Sequence, residues 1–294
     1  MMSLKTCIGA FLLCISGVLH AQTGVRERVV FYNTENLFDT RNDTLTADDD
    51  FTPRGKQHWN RERYTRKLLH ISKVLDNLGE GKFPLLIGLC EVENRDVVAD
   101  LANKTVLADA NYGIVHADSP DARGIDVALL YRKDSFRLSR NAFFPVHLKN
   151  GETTRDILYC EGILAPNDTL HVFVCHFPSM RGGEAKSEWK RVEAASVVKQ
   201  KVDSIQGICS RAMILIMGDL NGRANTLAQK ILKIQNPESG AIQSENLYNT
   251  GYYLLGKPYG SYRYKGEWQT LDHIIVSGNL LNGKANLQSS RRMG

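Results

Sequence analysis

Four apolar runs in this chain end at polar residues of the kinds that bind metal ions and phosphate. The run at 29–32 is followed by NTEN at 33–36, and the run at 85–90 by Glu91. The run at 170–175 is followed by His176, and the run at 213–217 by GDLN at 218–221. Short apolar runs of this kind are typical of buried strands. Because strand ends that share one edge of a sheet converge, we expect these carboxylates, amides and histidine to form one site, which suits a hard metal ion and a phosphate.

The rest of the sequence has the composition of a globular protein. The chain has 294 residues, of which 43% are apolar and 23% charged, and no internal repeats. Strand-like and helix-like segments alternate, which predicts an α/β fold in one domain. Apolar residues three or four positions apart predict a helix at 61–79. A weaker apolar stripe predicts a second helix at 184–205, lying on the surface.

The N-terminus has the pattern of a secretory signal peptide. Lys5 precedes a short apolar stretch at 8–19, and Ala21 is a small residue suited to cleavage. We therefore predict a signal peptide at 1–21, a folded domain at 22–294 and an exported protein, periplasmic or extracellular. A lipoprotein attached through Cys14 is the alternative. The stretch is short for a membrane span, and no other run is long enough, so no transmembrane segment is expected.

Removal of residues 1–21 would leave a mildly basic protein with four cysteines. Only Lys5 among the charged residues is lost, so the net charge falls from +5 to +4, or 36 basic minus 32 acidic residues. That permits a polyanionic substrate without indicating a dedicated nucleic-acid patch. If a hairpin of strands at 156–164 and 170–177 is symmetric about its turn, Cys160 and Cys175 lie opposite each other. We nevertheless expect free thiols in the core.

Six motifs, in order along the chain, resemble the endonuclease/exonuclease/phosphatase superfamily, the relatives of deoxyribonuclease I and exonuclease III. They are YNTENLFD at 32–39, CEVEN at 90–94, RGIDVALLY at 123–131, HFPS at 176–179, GDLN at 218–221 and LDHII at 271–275. The resemblance runs from about Arg28 to about Leu280. It implies a four-layer α/β-sandwich in which two packed mixed β-sheets are flanked by helices.

The resemblance also implies roles for individual residues. Glu35 and Glu91 would bind the metal, which would be Mg²⁺ or alternatively Mn²⁺ or Ca²⁺. Asp219 would orient or deprotonate the attacking water, Asn221 would bind the phosphate, and His176 would stabilise its charge. Asp272 matches a catalytic aspartate that in the family orients a terminal histidine. Four further residues are possible substrate contacts: Asn33, Arg123, Arg181 and Arg263. The three arginines could equally be solvated surface charges.

The sequence departs from the family near its C-terminal end. Family members close with a Ser-Asp-His motif on a final strand, and residues 277–294 contain no such motif. His273 follows Asp272 directly in a strand and would point to the opposite face. We therefore expect the final strand to be missing, the edge of the strand at 29–32 to be exposed, and the chain to be a shortened, nearly inactive version of a longer enzyme.

Three functions remain open. The first is an exported metal-dependent phosphodiester hydrolase, most simply a nuclease. The second is a phosphatase or a phospholipid head-group phosphoesterase, and the third is an inactive or purely binding protein. Tyr262, Tyr264 and Trp268 could stack on a base or a ring, or could be plain aromatics at the rim of the site. Long basic or stacking loops would favour a nuclease acting on nucleic acid, whereas a closed pocket would favour small phosphate esters. We expect a monomer.

Overall fold

The structure, a computed structural model, describes residues 16–20, 26–164, 167–282 and 286–289. Two β-sheets pack face to face, and helices cover the outer face of each sheet. The strands are β1 (Ser16–His20), β2 (Arg26–Leu37), β3 (Leu86–Val92), β4 (Tyr112–His116), β5 (Asp126–Arg132), β6 (Phe136–Phe144), β7 (Ile157–Leu164), β8 (Asp168–His176), β9 (Met213–Asp219), β10 (Ile234–Gln235), β11 (Leu247–Asn249), β12 (Tyr262–Tyr264), β13 (Glu267–Gln269), β14 (Asp272–Ser277) and β15 (Asn286–Ser289).

Both large sheets are mixed. The first has the order β15-β1-β2-β3-β5-β4, and within it β2 and β3 run parallel while the other neighbours are antiparallel. The second has the order β10-β11-β14-β9-β8-β7-β6, with β8 parallel to β9 and β10 parallel to β11. Strands β12 and β13 form a separate hairpin. The predicted four-layer α/β-sandwich is thus confirmed.

Five helices complete the described fold: α1 (Arg61–Gly79), α2 (Arg95–Asn103), α3 (Glu184–Ile208), α4 (Leu227–Ile231) and α5 (Gly278–Asn282). The first has the predicted bounds, because Asn60 caps it by accepting a hydrogen bond from the Arg63 N–H at 3.0 Å and Glu80 ends it in the left-handed conformation. Helices α1 and α2 cover the first sheet, and α3 covers the second.

Helix α3 is more buried than its sequence predicted. It extends three residues beyond the predicted end, and Ala194, Ala195, Val198 and Val202 pack against the second sheet. Alanine side chains contribute little to an apolar stripe, but they let a helix approach a sheet closely. The stripe therefore looked weak although the helix face is buried.

The core between the sheets requires a glycine on β3. A Cβ atom at Gly88 would lie 2.5 Å from the Met217 sulfur and 3.2 Å from the Phe31 ring. Met217 belongs to β9 of the opposite sheet, so the opposite sheet packs directly against the backbone of β3 at Gly88. A larger residue would push the layers apart or displace the methionine.

In the full chain the edge of β2 that we expected to be exposed is covered, by residues that the predicted removal of 1–21 would take away. Strand β1 pairs with it antiparallel, with Gly17 opposite Val29 and Ser16 opposite Val30. Strand β15, which no apolar pattern indicated, pairs with β1. It carries neither aspartate nor histidine, so it is not the strand that the family resemblance led us to expect. Strand β1 lies within the predicted signal peptide, whose residues 1–15 and 21 lie outside the described residues.

The predicted register of the β7–β8 hairpin is wrong. Cys160 lies opposite Val172 and not opposite Cys175. The chain reverses earlier in the sequence than we predicted, so that Leu164 already pairs with Asp168. Cys160 faces the core between the sheets, whereas Cys175 packs on the α3 side. The two thiols are therefore on opposite faces, and both are free. Among the described residues, no helix is both long enough and apolar enough to cross a membrane.

Candidate active site

Three predicted site residues lie side by side at one edge of the second sheet. His176 ends β8 and Asp219 ends β9, and the two are paired in register. Asp272 begins β14 and is paired with Asp219 from the other side. Because β14 runs antiparallel to β9, its first residue reaches the edge at which β8 and β9 end.

The first sheet brings its residues to the same edge through two irregular strands. The register shifts between Asn33 and Leu37 in β2, and between Cys90 and Val92 in β3. Glu35 and Glu91 sit within these irregularities with φ angles of 52° and 59°, in the left-handed region. That conformation costs a non-glycine residue about 1–2 kcal/mol. Such strain is typical of functional sites, where the surroundings hold the chain in an unfavourable conformation.

Hydrogen bonds join the two sheets at this edge and orient Asp219. Asn33 Nδ2 donates to Asp219 Oδ2 at 3.2 Å, and the Asn221 N–H donates to Asp219 Oδ1 at 2.8 Å. Asn33 Oδ1 accepts from the Glu35 N–H at 2.8 Å. Asn221 Nδ2 donates to the Phe177 carbonyl at 2.9 Å. Both carboxylate oxygens of Asp219 are therefore held in place.

His176 lies between two carboxylates and is buried. Its Nε2 is 3.9 Å from both Glu91 Oε1 and Asp219 Oδ2. Burial, and then the positive charges of Arg155 and Arg123, hold the pKa of His176 well below its usual range. The imidazole is therefore neutral at pH 7, with one nitrogen able to donate and the other able to accept a hydrogen bond.

The carboxyl groups crowd one another. Burial raises the pKa of Asp219 to about 6, and the charge of Glu91 adds to the shift. Burial, followed by the charge of Asp219, raises the pKa of Asp272 well above its ordinary value. Among the described residues, the buried Asp272 Oδ1 has no hydrogen-bond partner. This donor set fits a divalent cation, because a cation would neutralise the clustered carboxylates and give that oxygen a partner.

Nine of the ten predicted residues line one cavity of about 870 Å³. They are Asn33, Glu35, Glu91, Arg123, His176, Arg181, Asp219, Asn221 and Asp272. Arg263 is the exception, since it lines a neighbouring cavity and its guanidinium lies 5.7 Å from the centre of the Trp268 ring. Residues alternate faces along a strand, so Tyr262 and Tyr264 face the first cavity and Arg263 between them faces away.

Arg155 supports the site, and no pattern in the sequence indicated it. Its side chain is buried and donates from Nε to the His176 carbonyl at 3.2 Å and from Nη2 to the Phe177 carbonyl at 2.6 Å. Its Nη1 donates to Asp121 Oδ2 at 2.9 Å. It thereby ties the end of β8 to the loop that carries Arg123. The only hint in the sequence is its position directly before a strand.

Lys67 of α1 is a second residue that the sequence did not indicate. Its ammonium donates to the Glu35 carbonyl and, at 3.1 Å, to the Asn36 carbonyl. Burial lowers its pKa to about 8, although the charges of Glu35 and Glu91 oppose the shift. Lys67 therefore holds the irregular part of β2 in place from outside the sheet.

His273 does not belong to the site, as its position after Asp272 predicted. It is fully buried, and its Nδ1 and Nε2 lie 2.9 Å from Asn249 Nδ2 and 2.8 Å from the Gly222 carbonyl oxygen. Both nitrogens are thus used within the fold. No other histidine lines the cavity besides His176 among the described residues.

Solved structures of other proteins share this fold. The human Nocturnin catalytic domain with bound sulfate is similar at 18% identity and a TM-score of 0.54, over 76% of this chain and 86% of that one. An endonuclease/exonuclease/phosphatase family protein from Bacteroides thetaiotaomicron is similar at 16% identity and a TM-score of 0.53, over 85% and 80%. TDP2 from D. rerio, in complex with a single-strand DNA product, gives 15% identity and a TM-score of 0.50, over 85% and 82%.

These likenesses show the fold, and no curated protein matches the chain. The family assignment comes from the sequence as a whole. Residues 28–291 match the model of the Endonuclease/Exonuclease/phosphatase family, and that range includes every motif and every candidate residue described above. The chain therefore belongs to the endonuclease/exonuclease/phosphatase family, which includes metal-dependent nucleases and phosphatases.

Proposed function

We propose that this protein is a Mg²⁺-dependent phosphodiester hydrolase that acts on nucleic acid outside the cytoplasm. The observation that carries the proposal is the convergence of Glu35, Glu91, Asp219 and Asp272 with His176 in one cavity. A cation would stabilise carboxylates that lie this close together. A metal ion beside a histidine is an arrangement suited to the hydrolysis of phosphate esters. The proposed export depends on the signal-peptide pattern at 1–21, and would give a mature N-terminus at Gln22.

Glu35 and Glu91 would hold the metal, with Asp272 beside them. When bound, the ion would polarise the phosphate and lower the pKa of a coordinated water. Asp219 is the base that accepts a proton from the attacking water. Hydrogen bonds from Asn33 and Asn221 hold both of its oxygens, and a pKa of about 6 suits a base that works near neutral pH.

His176 and Asn221 contact the phosphate in this proposal. The neutral imidazole of His176 donates a hydrogen bond to a phosphoryl oxygen as negative charge develops there. Asn221 uses one of its two amide protons on the Phe177 carbonyl, which leaves the other for the phosphate. Arg123 and Arg181 line the same cavity and supply positive charge for the backbone of the substrate.

Two exposed tyrosines favour nucleic acid over small phosphate esters. Tyr262 and Tyr264 are 46% and 51% exposed, and their rings stack with centroids 6.4 Å apart at the wall of the cavity. Exposed aromatic faces beside a phosphate-binding cavity are typical platforms for unpaired bases. A cavity of about 870 Å³ is also larger than a small phosphate ester needs.

One observation favours a second candidate, a protein that binds nucleic acid and hydrolyses it only weakly. In family members the residue matching Asp272 orients a terminal histidine, and here Asp272 Oδ1 lacks a hydrogen-bond partner within the described part of the chain. A bound cation could supply that partner. The two candidates differ in turnover and share the same binding site.

A hydrolysis panel separates these possibilities. The substrates are single-stranded DNA, plasmid DNA, RNA and bis-p-nitrophenyl phosphate, each with Mg²⁺ and with EDTA, and each with wild type and Asp219→Asn. The proposal predicts Mg²⁺-dependent cleavage of at least one nucleic acid by the wild type that the variant lacks. Binding of single-stranded DNA without turnover would support the second candidate. Turnover of bis-p-nitrophenyl phosphate with cleavage of none of the nucleic acids would overturn the assignment to nucleic acid.

A further inference from the structure

A histidine and two aspartates cluster around β4 and β5, beside the active-site edge of the first sheet, where Asp126 pairs with Val92, the residue after Glu91. His116 ends β4, Asp126 begins β5, and Asp118 lies in the loop between them. One nitrogen of His116 and one oxygen of each carboxylate lie within 4.8 Å of one another. The motifs of the active site do not include His116 or Asp118, and none of the three lines the active-site cavity.

The histidine offers a nitrogen that the fold does not use. The His116 side chain is only 1% exposed, and its Nε2 is buried without a hydrogen-bond partner among the described residues. That nitrogen lies 3.6 Å from Asp126 Oδ2, too far for a hydrogen bond. The other ring nitrogen of His116, Nδ1, lies 3.9 Å from Asp118 Oδ1. Burial of a polar atom without a partner costs free energy, which a bound cation would offset.

Asp126 is oriented as a metal ligand would be. Its Oδ1 accepts hydrogen bonds from the Ser119 N–H, at 2.9 Å, and from the Ser119 hydroxyl. These bonds fix the carboxylate and leave Oδ2 directed toward His116. Ligating carboxylates commonly have their second oxygen hydrogen-bonded in this way, which fixes the direction of the first.

The cluster is accessible from solvent. Asp118 and Asp126 line a cavity of about 560 Å³, together with Asp39, Asp43 and Glu93. The Asp118 side chain is 83% exposed, so it can move to close the ligand set around an ion. A metal ion would therefore have an entry path and a mobile third ligand beside two fixed ones.

We propose that His116, Asp118 and Asp126 bind a second divalent metal ion, a transition metal such as Zn²⁺. One imidazole with two carboxylates suits Zn²⁺, whereas Mg²⁺ prefers an all-oxygen set. Burial lowers the pKa of His116 to about 4, so its imidazole is in the neutral form that binds metals. The proposal does not depend on the proposed hydrolase activity.

The ion would hold the loop that serves the active site. Residues 117–125 connect two of its ligands, and this loop also carries Asp121, which pairs with Arg155, and Arg123, which lines the active-site cavity. A metal that fixes both ends of the loop would limit the movement of Arg123. The site is therefore structural, and its loss would affect the position of Arg123 before it affected the catalytic carboxylates.

The test is calorimetric titration of ZnCl₂ into the chelator-treated full chain that carries Glu91→Ala, a change that weakens metal binding at the catalytic site. Excess Mg²⁺ is present to occupy what remains of that site. In that background we expect Zn²⁺ to bind at a single strong site. Adding Asp118→Asn should weaken Zn²⁺ binding roughly tenfold or more, as loss of a ligand commonly does. The matched control is Asp109→Asn, an exposed residue with the same charge change, which should leave binding unchanged.

A second variant and a second readout keep the result clear. His116→Gln should abolish Zn²⁺ binding. Because His116 is buried, the His116→Gln variant could fail to fold, and in that case the Asp118→Asn variant tests whether the cluster binds Zn²⁺. Zn²⁺ should also raise the Tm of the Glu91→Ala chain, and at the same Zn²⁺ concentration it should raise that of Glu91→Ala/Asp118→Asn by less. Absence of strong Zn²⁺ binding in the Glu91→Ala chain, or equal affinity with and without Asp118, would overturn the proposal.

Discussion

At the scale of single residues, the site is built from groups that the fold holds in unfavourable states. Glu35, Glu91 and Asn221 have positive φ angles, and the carboxyl groups of Asp219 and Asp272 have raised pKa values. Each of these features reduces the stability of the metal-free protein. Proteins commonly keep such features where activity depends on them.

Replacing Asp272 should show that its buried charge destabilises the metal-free protein. Because folding raises its pKa, the folded state binds a proton more tightly than the unfolded state, and stability is lost as pH rises above the ordinary carboxyl value. We predict that Asp272→Asn raises the Tm in EDTA at neutral pH, by an increment that shrinks as pH falls toward about 4. Thermal melts across pH measure this. A lower Tm for the variant at neutral pH would contradict it.

The pH dependence of hydrolysis should report Asp219. The group acts as a base only when ionised, and burial has raised its pKa to about 6. Activity should therefore fall as pH decreases through about 6, or somewhat lower when a metal ion is bound. Asp219→Asn should lose about two to four powers of ten in kcat and also lose this acidic limb. A wild-type kcat/KM that stays flat to about pH 4 would rule out Asp219 as the base.

The buried pair of Arg155 and Asp121 should matter for stability. Asp121 is buried, and without Arg155 its Oδ2 and the carbonyl oxygens of His176 and Phe177 would each lose a hydrogen-bond donor. We predict that Arg155→Met destabilises the protein by roughly 3–5 kcal/mol in urea unfolding, as breaking a buried pair commonly does. Arg181→Met, an exposed residue, is the control. Equal unfolding midpoints for the two variants would show that the pair contributes nothing.

At the scale of elements, the β12–β13 hairpin separates two surfaces. Tyr262 and Tyr264 face the active-site cavity, and Arg263 faces the neighbouring one. The alternating YRY sequence would have predicted this division had the short strand been recognised, but a three-residue strand leaves too little pattern to identify. Likewise, composition predicted a turn at 166–169 between the strands of the β7–β8 hairpin, but Asp168 and Thr169 belong to β8, so neither the bounds of the turn nor the register of the strands could be found in this way.

The hairpin should contribute to binding of single strands and not to the chemical step. We predict that Tyr262→Ala/Tyr264→Ala raises KM for single-stranded DNA about fivefold or more, with little change for bis-p-nitrophenyl phosphate, because stacking contributes about 1–3 kcal/mol per base. Tyr262→Phe/Tyr264→Phe keeps the rings and should behave like wild type. An equal effect on both substrates would indicate a role for the hairpin in folding or catalysis instead.

At the scale of the whole molecule, the sequence predicted the parts of the site that depend on local signals. An apolar run ending at Glu91, His176 or Asp219 is visible within a few residues, and the sheet topology then brings these ends together. Arg155 could not be found in this way, because its partners Asp121 and His176 lie 34 and 21 residues away. Strand β15 could not either, since its polar residues form a strand only by pairing with β1.

The central claim is that one edge of the sandwich forms a metal-dependent hydrolytic site. Its most direct test is the rate of bis-p-nitrophenyl phosphate hydrolysis by the full chain at saturating Mg²⁺, compared with EDTA and with Glu91→Gln. That substrate is too small to depend on the hairpin, so the rate reports the site alone. We predict turnover that requires Mg²⁺ and falls by at least about two powers of ten in Glu91→Gln. Turnover that is equal in the variant, or equal in EDTA, would contradict it.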